Sequence, residues 1–462
     1  MKSAKNFYPK KVTLTSVDGK EIAITPAVVA FSYYEDIFQP FCTGNMLIVD
    51  SGMNLIGNLP IQGGEKVKIQ LDNIKKEEVE YEMCVWKVYN RKFEKNMQYY
   101  TLSLVSEEAI INQSARVLDK IKGKSEAIIS SILKDILKTK KKLYAETSKF
   151  QFNLQPNGRK AHAICQSLMS RTVPMATKFK KGKTTSQKKG ESGLGANASK
   201  AQGTAGYLFF ENKDGFIFQS MDRLCSDGTD SFGGTAPIAT YYSRPVLDLP
   251  PEDVFLTIEE YRFPDEIDIM DKLNNGIFST HMCYFDVASQ KYEEYTYDMA
   301  STFNNMSHLG SQDKLPMYQE EQTKNPSRVM TVLLDHEMWY DGEDVANPDE
   351  DGDADFPDYA KYYTAQAIGR RYMMENQRVE ITIPGNSSMK VGDKIKIMLP
   401  NMVAQNIRER EPYDEENSGT YLVAQLSHNY QHVVESGNPQ FVTRVALIRD
   451  TYGIKEYESK VK

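Results

Sequence analysis

Cysteine is scarce and badly spaced for any shared task. The chain of 462 residues holds five (Cys42, Cys84, Cys165, Cys225 and Cys283), with no C-x-x-C pair. An odd, scattered set excludes a disulfide framework and a thiolate zinc site, so the five are expected as reduced, mostly buried thiols. Histidine is nearly as thin. The six (His162, His281, His308, His336, His428, His432) include no H-E-x-x-H pair, and His428 and His432 lie in a strand-and-turn context that gives them no shared helical face. No stretch reaches the roughly 18 consecutive apolar residues of a membrane helix. The first residues, Met1 to Pro9, have no apolar run behind their lysines, so the sequence reads as a protein made and folded in a cytoplasm. Nucleophile elbow, Walker A and dinucleotide fingerprints are all missing, and Gly182-Lys183-Thr184 lacks the preceding glycine and strand of a phosphate cradle.

Charge of one sign is also missing. Lys plus Arg count 56 against 63 Asp plus Glu, a net charge of -7, where a general nucleic-acid binder is more often basic. What the chain does have is length for about three domains and many aromatics, 27 Tyr and 20 Phe, suited to half-buried strands and contact surfaces.

Residues 7 to 105 read almost entirely as strand. Val12, Leu14 and Ser16 alternate before the turn Asp18-Gly19, and Ile22 and Ile24 alternate after it. Short strands then recur at close spacing, the signature of an antiparallel sandwich or barrel. At Ser106 the period changes to helical, with Ile110, Ile111, Val117, Leu118 and Ile121 on one stripe up to Gly123; a second helix follows Ser125, and a third covers 159 to 171. Residues 178 to 206 hold seven lysines, one glutamate and much Gly, Ser, Thr and Ala, which is linker composition. Tyr207 to Glu211 and Phe216 to Ser220 flank a hairpin turn. Val254 to Tyr261 looks extended, Ile267 to Leu273 helical, and Phe278 to Val287 pairs with Tyr292 to Tyr297. Arg328 to Glu337 fits a strand or short helix, Tyr359 to Asn376 a helix, and the segments from Arg378 to Arg449 alternate as strands again.

Candidate chemistry is sparse. Between Asp335 and Asp358 lie eleven acids and no Lys or Arg. Asn347, Asp349, Asp351, Asp353, Asp355 and Asp358 fall in an EF-hand register with Gly352 at the turn. Position 12 is Asp where a bidentate Glu is usual, and Pro348 and Pro357 interrupt the loop, so a solvated acidic loop is the reading and no metal is expected. Glu259-Glu260 and Glu293-Glu294 are neighbouring carboxylates of the kind that strand edges expose to solvent. No catalytic residue and no cofactor follow from these patterns.

A family resemblance emerges from the collinear order of several strings. These are Gly206 to Ser220; Asp271 to Ser279 with Tyr284-Phe285-Asp286; Arg378 to Asn386; Met389 to Ile395; Ser418 to Val423 with Leu426-Ser427-His428; and Thr443 to Asp450. Together they resemble the baseplate hub proteins of contractile-tailed bacteriophages, a tube-like double-barrel family related to the hub part of type VI secretion spike proteins. The resemblance implies a mainly β, α+β chain with two tube-like antiparallel β-barrels and helical and α+β insertions. The first barrel would cover 1–105, an α+β domain with the lysine-rich loop 106–235, the split second barrel 236–300 and 377–450, an insertion 301–376, and a tail 451–462. It further implies a homotrimer that adapts a sixfold tail tube to a threefold central spike and passes DNA through its lumen. Its partners would be tail tube and spike proteins, with tape measure and baseplate wedge proteins beyond, and no sequence-specific nucleic acid. Such a protein is non-enzymatic and sits in the virion's tail baseplate after assembly in the host cytoplasm. Two alternatives stay open, the spike-hub of a related injection system and a tail-associated peptidoglycan hydrolase.

Overall fold

The computed structural model describes residues 9–453, apart from 53, 60, 73–77, 178–202, 244–252, 265–267, 288–289, 301, 313–314, 316–324, 335–355, 403–411 and 433–438. The lysine-rich residues 178–202 and most of the acidic loop therefore lie outside the described residues. No described helix is long and apolar enough to cross a membrane.

The first seven strands are β1 (Lys11–Thr15), β2 (Glu21–Ala23), β3 (Val28–Asp36), β4 (Thr43–Asp50), β5 (Lys66–Asp72), β6 (Glu78–Glu94) and β7 (Met97–Val105). All pair antiparallel, β2-β1-β5-β6-β7-β4-β3. Alternation sets their faces. In β5, Val67, Ile69 and Leu71 are fully buried while Lys66 and Lys68 reach Glu82 and Glu80 on the solvent side. Val12, Leu14, Met46, Ile48, Tyr100 and Leu102 complete one core.

The middle of the chain departs from expectation after Ser106. The first helix is only Glu107–Ser114, because Ala115 turns to ψ 131° and the Val117 amide bonds to the Arg159 carbonyl. Ile121, expected on that helix, lies in β8 (Ile121–Lys124), paired with β10 (Gln151–Leu154). Gly123, expected as the helix stop, sits mid-strand at φ +148°, a backbone region that suits glycine. The next helix, Ser125–Ser131, runs into a wider turn at Ile132–Ile136 before β9 (Lys142–Ala145), and a third spans Ala161–Met169. β11 (Tyr207–Asn212) and β12 (Gly215–Ser220) form the expected hairpin, with β9 parallel to β12. Every residue of β11 is buried. Tyr207 and Phe209 point into one core while Leu208 and Phe210 belong to another, so the strand is a wall shared by two cores.

The short strands β13 (Thr240–Tyr242) and β14 (Glu260–Arg262) come next. The stretch expected to be extended from Val254 instead begins with a 3-10 turn, Asp253–Leu256. β15 (Ser279–Asp286), β16 (Lys291–Asp298) and β17 (Arg328–Leu334) make a separate sheet, antiparallel on one side of β15 and parallel on the other. β15 and β16 were expected within the second barrel. Their buried face, Met282, Tyr284 and Tyr297, instead shares the core with Ala365, Ala367 and Met373 of the helix Phe356–Met373.

The last strands are β18 (Gln377–Pro384), β19 (Lys394–Met398), β20 (Gly419–His432) and β21 (Pro439–Arg449). They order as β14-β18-β21-β20, with β19 on the opposite edge of β20 and β13 beyond it. The mainly β, α+β class is as expected, and no closed barrel is found among the described residues. Among the described residues no strand pair closes either half. The two halves run on as one 13-stranded sheet through β20. Its early residues, Gly419 to Leu422, pair with β19; after a bulge between Val423 and Gln425, residues Gln425 to Gln431 pair with β3. The bulge re-aims the strand. Tyr430 and Phe441 thereby leave the second core and fill the first, Tyr430 stacking on Phe31 with ring centroids 5.3 Å apart.

Two substitutions check this joint. Tyr430→Ala is expected to cost about 3 kcal/mol or more. A Cβ on Gly385 would lie 1.9 Å from Phe441 Cδ1, so Gly385→Ala should cost about 1–3 kcal/mol by overpacking. Urea denaturation followed by tyrosine fluorescence should show both as a lowered midpoint in the transition that reports the N-terminal strands, although both positions lie in the C-terminal third.

Candidate functional site

Where β3 meets β20, the outward side chains form a concavity of about 720 Å³ running across β14, β18, β21, β20 and β3. Period-two alternation puts Tyr34 and Asp36, Gln425 and Ser427, Arg444 and Ala446, Glu380 and Thr382, and Glu260 and Arg262 along it. Gln425 Nε2 donates to Asp36 at 2.9 Å, Arg262 Nε to Glu380 at 2.7 Å, and nearby Ser32 Oγ to Asn429 at 2.8 Å. Outside buried Glu35, its charges are Asp36, Glu260 and Glu380 against Arg262 and Arg444. The surface is polar, nearly neutral and largely self-paired.

Beneath it lies a buried junction. Glu35, 2% exposed, stands on the core-facing parity of β3 after Phe31 and Tyr33. It accepts from the Lys213 amide at 2.6 Å and Tyr33 Oη at 3.0 Å on one oxygen, and from the Val391 amide at 2.9 Å on the other. One side chain thus ties the first sheet, the tip of the β11–β12 hairpin and the loop before β19. Burial disfavours its charge and pushes its pKa up to about 7 despite those donors. The hairpin returns the bond: Asn212 Nδ2 donates to the Val391 carbonyl at 3.2 Å, and Lys390 Nζ reaches Asp214 at 2.5 Å.

Glu211 does the same on the other side. It accepts from the Cys42 amide at 3.0 Å and Ser106 Oγ at 2.5 Å, while Lys141 bridges it at 2.5 Å to Glu108 at 2.8 Å. Burial opposes the Lys141 charge, but the two carboxylates outweigh it and hold the ammonium protonated. A third buried node closes the C-terminal end. Arg370, fully buried on the helix Phe356–Met373, donates to Asp450 at 2.6 Å, and His308 Nδ1 lies 2.7 Å from the same oxygen. Burial works against the Asp450 charge, yet Arg370 and His308 hold its carboxyl well below the usual range.

The residues singled out in the sequence are not brought together. Asn347, Asp349, Asp351, Asp353 and Asp355 lie outside the described residues. Asp358 falls in the first turn of the helix Phe356–Met373, not in a loop as expected, and Pro357 beside it suits that position because a first-turn amide needs no partner. No group of three metal-ligating side chains occurs among the described residues. Glu259 and Glu260 are at β14, and Glu294 is on β16 of the separate sheet, where it accepts from Tyr292 Oη at 2.9 Å. The five cysteines are free, four of them buried and Cys283 half-buried. His428, on β20 with His432, is fully buried among Tyr33, Tyr81 and Phe441, and burial lowers its pKa to about 3, so it stays neutral. The acids that matter, Glu35 and Glu211, went unnoticed in the sequence. The signal was there: each is an acid on a core-facing or fully apolar strand position.

Glu35 and Asp393, the latter raised to about 6 by burial, give the protein a pH signature. Both hold a proton in the folded state above the pH at which the unfolded chain has lost it, so stability should fall as pH rises through 6 to 7. Thermal melting at pH 5.5 and pH 8 should show a lower Tm at pH 8. Glu35→Gln, which swaps an acceptor oxygen for a donor, should lower Tm at both values and shrink the difference between them.

No protein-family model and no curated protein matches the sequence. Solved structures do. The tail protein from Neisseria meningitidis MC58 superposes with a TM-score of 0.50 at 11% identity, over 96% of this chain and 97% of that one. The 43 kDa tail protein of prophage MuSo2 from Shewanella oneidensis gives 0.46 at 8% identity, over 96% and 98%. A prophage tail protein from Listeria monocytogenes EGD-e gives 0.41 at 8%, over 95% and 94%. The match to the first, end to end in both chains, assigns the architecture: this chain has a tail-protein fold, consistent with the baseplate hub family that its sequence resembles.

Proposed function

We propose that the chain is the structural hub of a contractile tail's baseplate, acting as a homotrimer between the sixfold tail tube and the threefold central spike. The observation that carries this reading is the splice at β20. One chain presents two β units edge to edge on a single sheet, so three chains offer six such units in a ring while keeping threefold symmetry. The shared tail-protein fold supports it.

The concave face fits a border to the DNA path. Affinity for DNA comes chiefly from cations that displace counterions at phosphates. Here the cations are two arginines, one already held by Glu380, among three acids. Such a surface lets a duplex slide past without retaining it. The role is read as mechanical, in keeping with the shared tail-protein fold. Tube and spike proteins are the direct partners, with tape measure and wedge proteins beyond. The protein would reside in the virion tail after assembly in the host cytoplasm.

Light scattering of the purified full chain should give three times the monomer mass, and pull-down should recover tube and spike proteins of the same tail. Replacing Asp36, Glu260 and Glu380 together by Lys should leave the trimer intact but create DNA retention in a salt-dependent gel-shift assay. A strictly monomeric protein that binds neither partner would overturn the reading.

A further inference from the structure

The junction around Glu211 holds more groups than an ion pair needs. Lys141 Nζ, just before β9, lies 2.5 Å from Glu211 Oε1 and 2.8 Å from Glu108 Oε2, so one ammonium meets two carboxylates. The acids come from different elements, Glu211 from β11 and Glu108 from the helix Glu107–Ser114, and their side chains are only 3% and 6% exposed. To reach Glu211 the lysine crosses β12. Its Nζ lies 5.9 Å from the centre of the ring of Phe216, the β12 residue that pairs with Glu211 on one side and Leu143 on the other.

The surroundings set the two acids apart. Glu211 Oε2 accepts from the Cys42 amide at 3.0 Å and from Ser106 Oγ at 2.5 Å, donors placed where negative charge gathers when a carboxyl carbon is attacked. Burial pushes the Glu211 pKa up against the pull of Lys141, which favours its neutral acid. Burial also works against the charge of Glu108, but Lys141 and Thr139 hold that carboxyl below its usual range, as a base. Two carboxyls whose pKa values are pushed apart divide acid and base roles between them. A cavity of about 570 Å³, lined in part by Glu108, Lys141 and Glu211, opens beside the three and gives a small product a way out.

We propose that Lys141 and Glu211 condense to an isopeptide bond within the folded chain, with Glu108 as proton carrier. One proton passes from Nζ to Glu211 Oε1, leaving a neutral amine and a carboxylic acid. The Nζ lone pair attacks Cδ, and the C=O electron pair moves onto Oε2 under the Cys42 and Ser106 donors. Glu108 takes a second proton from Nζ and passes it to Oε1. The Cδ–Oε1 bond breaks, Oε1 leaves as water, and Oε2 recovers its double bond. The amide keeps the third proton, Glu108 ends as it began, and no co-reactant is consumed. Lys141 rests as the ammonium, so the neutral pair is a minor state. A bond made once per chain needs no turnover, however, and groups held in contact react at high effective concentration. The link joins positions 70 apart in sequence and fastens the outer strands of the β11-β12-β9 sheet across the middle one. This inference goes beyond the hub reading and does not depend on it.

Intact-mass spectrometry of the purified, denatured full chain should give the sequence mass less one water. Trypsin should fail to cut after Lys141, and that residue should emerge joined to the peptide ending at Lys213. Lys141→Arg, which keeps the ion pair, and Glu108→Gln, which keeps the shape, should fold by circular dichroism and carry the full mass. A folded, unaltered chain of full sequence mass would overturn the bond, whatever oligomer light scattering finds. A water lost from Lys141→Arg as well would place the loss elsewhere and overturn it too. Loss from Glu108→Gln at the unaltered rate would overturn the carrier role of Glu108.

Discussion

A sheet that does not close on itself leaves a row of unsatisfied amides and carbonyls along its last strand, and in this chain that strand is β3. Its partner comes from the far end of the sequence, since Ser32 bonds to Asn429 across 397 residues. Everything else in the architecture is arranged around that ladder. The bulge at Val423 and Gln425 lets one strand serve β19 first and β3 afterwards. Tyr430 and Phe441 then enter a core whose other members all come from the first 105 residues. The result is a chain whose two β units share hydrogen bonds and side chains and do not sit apart as beads.

The polar nodes make the same join from below. Glu35 on β3 and Glu211 on β11 belong to different sheets, and each engages the β11–β12 hairpin, one by accepting from it and the other as part of it. Buried acids are costly unless satisfied, and these are satisfied by groups from three separate stretches of sequence. That requirement gives specificity: a hairpin displaced by one residue would leave a carboxylate facing apolar side chains. The Arg370–Asp450 pair fixes the end of β21 to the long helix by the same logic.

Strand content was legible in the sequence because alternation is a local property. Val67, Ile69 and Leu71 announce a half-buried strand without reference to anything distant, and Tyr207 to Phe210 announce one buried on both faces. Partner choice was not legible. Nothing near Phe278 to Val287 says that it pairs with Arg328 to Leu334 in a sheet of its own and not in the second barrel. The stripe from Ile110 to Ile121 fits a helix equally well until the Arg159 carbonyl claims the Val117 amide. Of the candidate site, the acidic run was visible and lies for the most part outside the described residues, whereas Glu35 offered only its shared parity with Phe31 and Tyr33 as a sign of burial. Its burial is set by groups more than 170 residues away.

The ladder between β3 and β20 also sets a timetable. A ribosome that has released β3 and β4 must still make more than 300 residues before the strand that covers them exists, a delay on the order of tens of seconds at ordinary synthesis rates. During that interval an edge bearing Phe31 and Tyr33 is open to any other strand, including the same edge on a neighbouring nascent chain. The hairpin β11–β12 arrives about midway, and its Lys213 amide can already occupy Glu35. On this view the hairpin is a placeholder, protecting half of an unfinished joint until the end of the chain comes to close it.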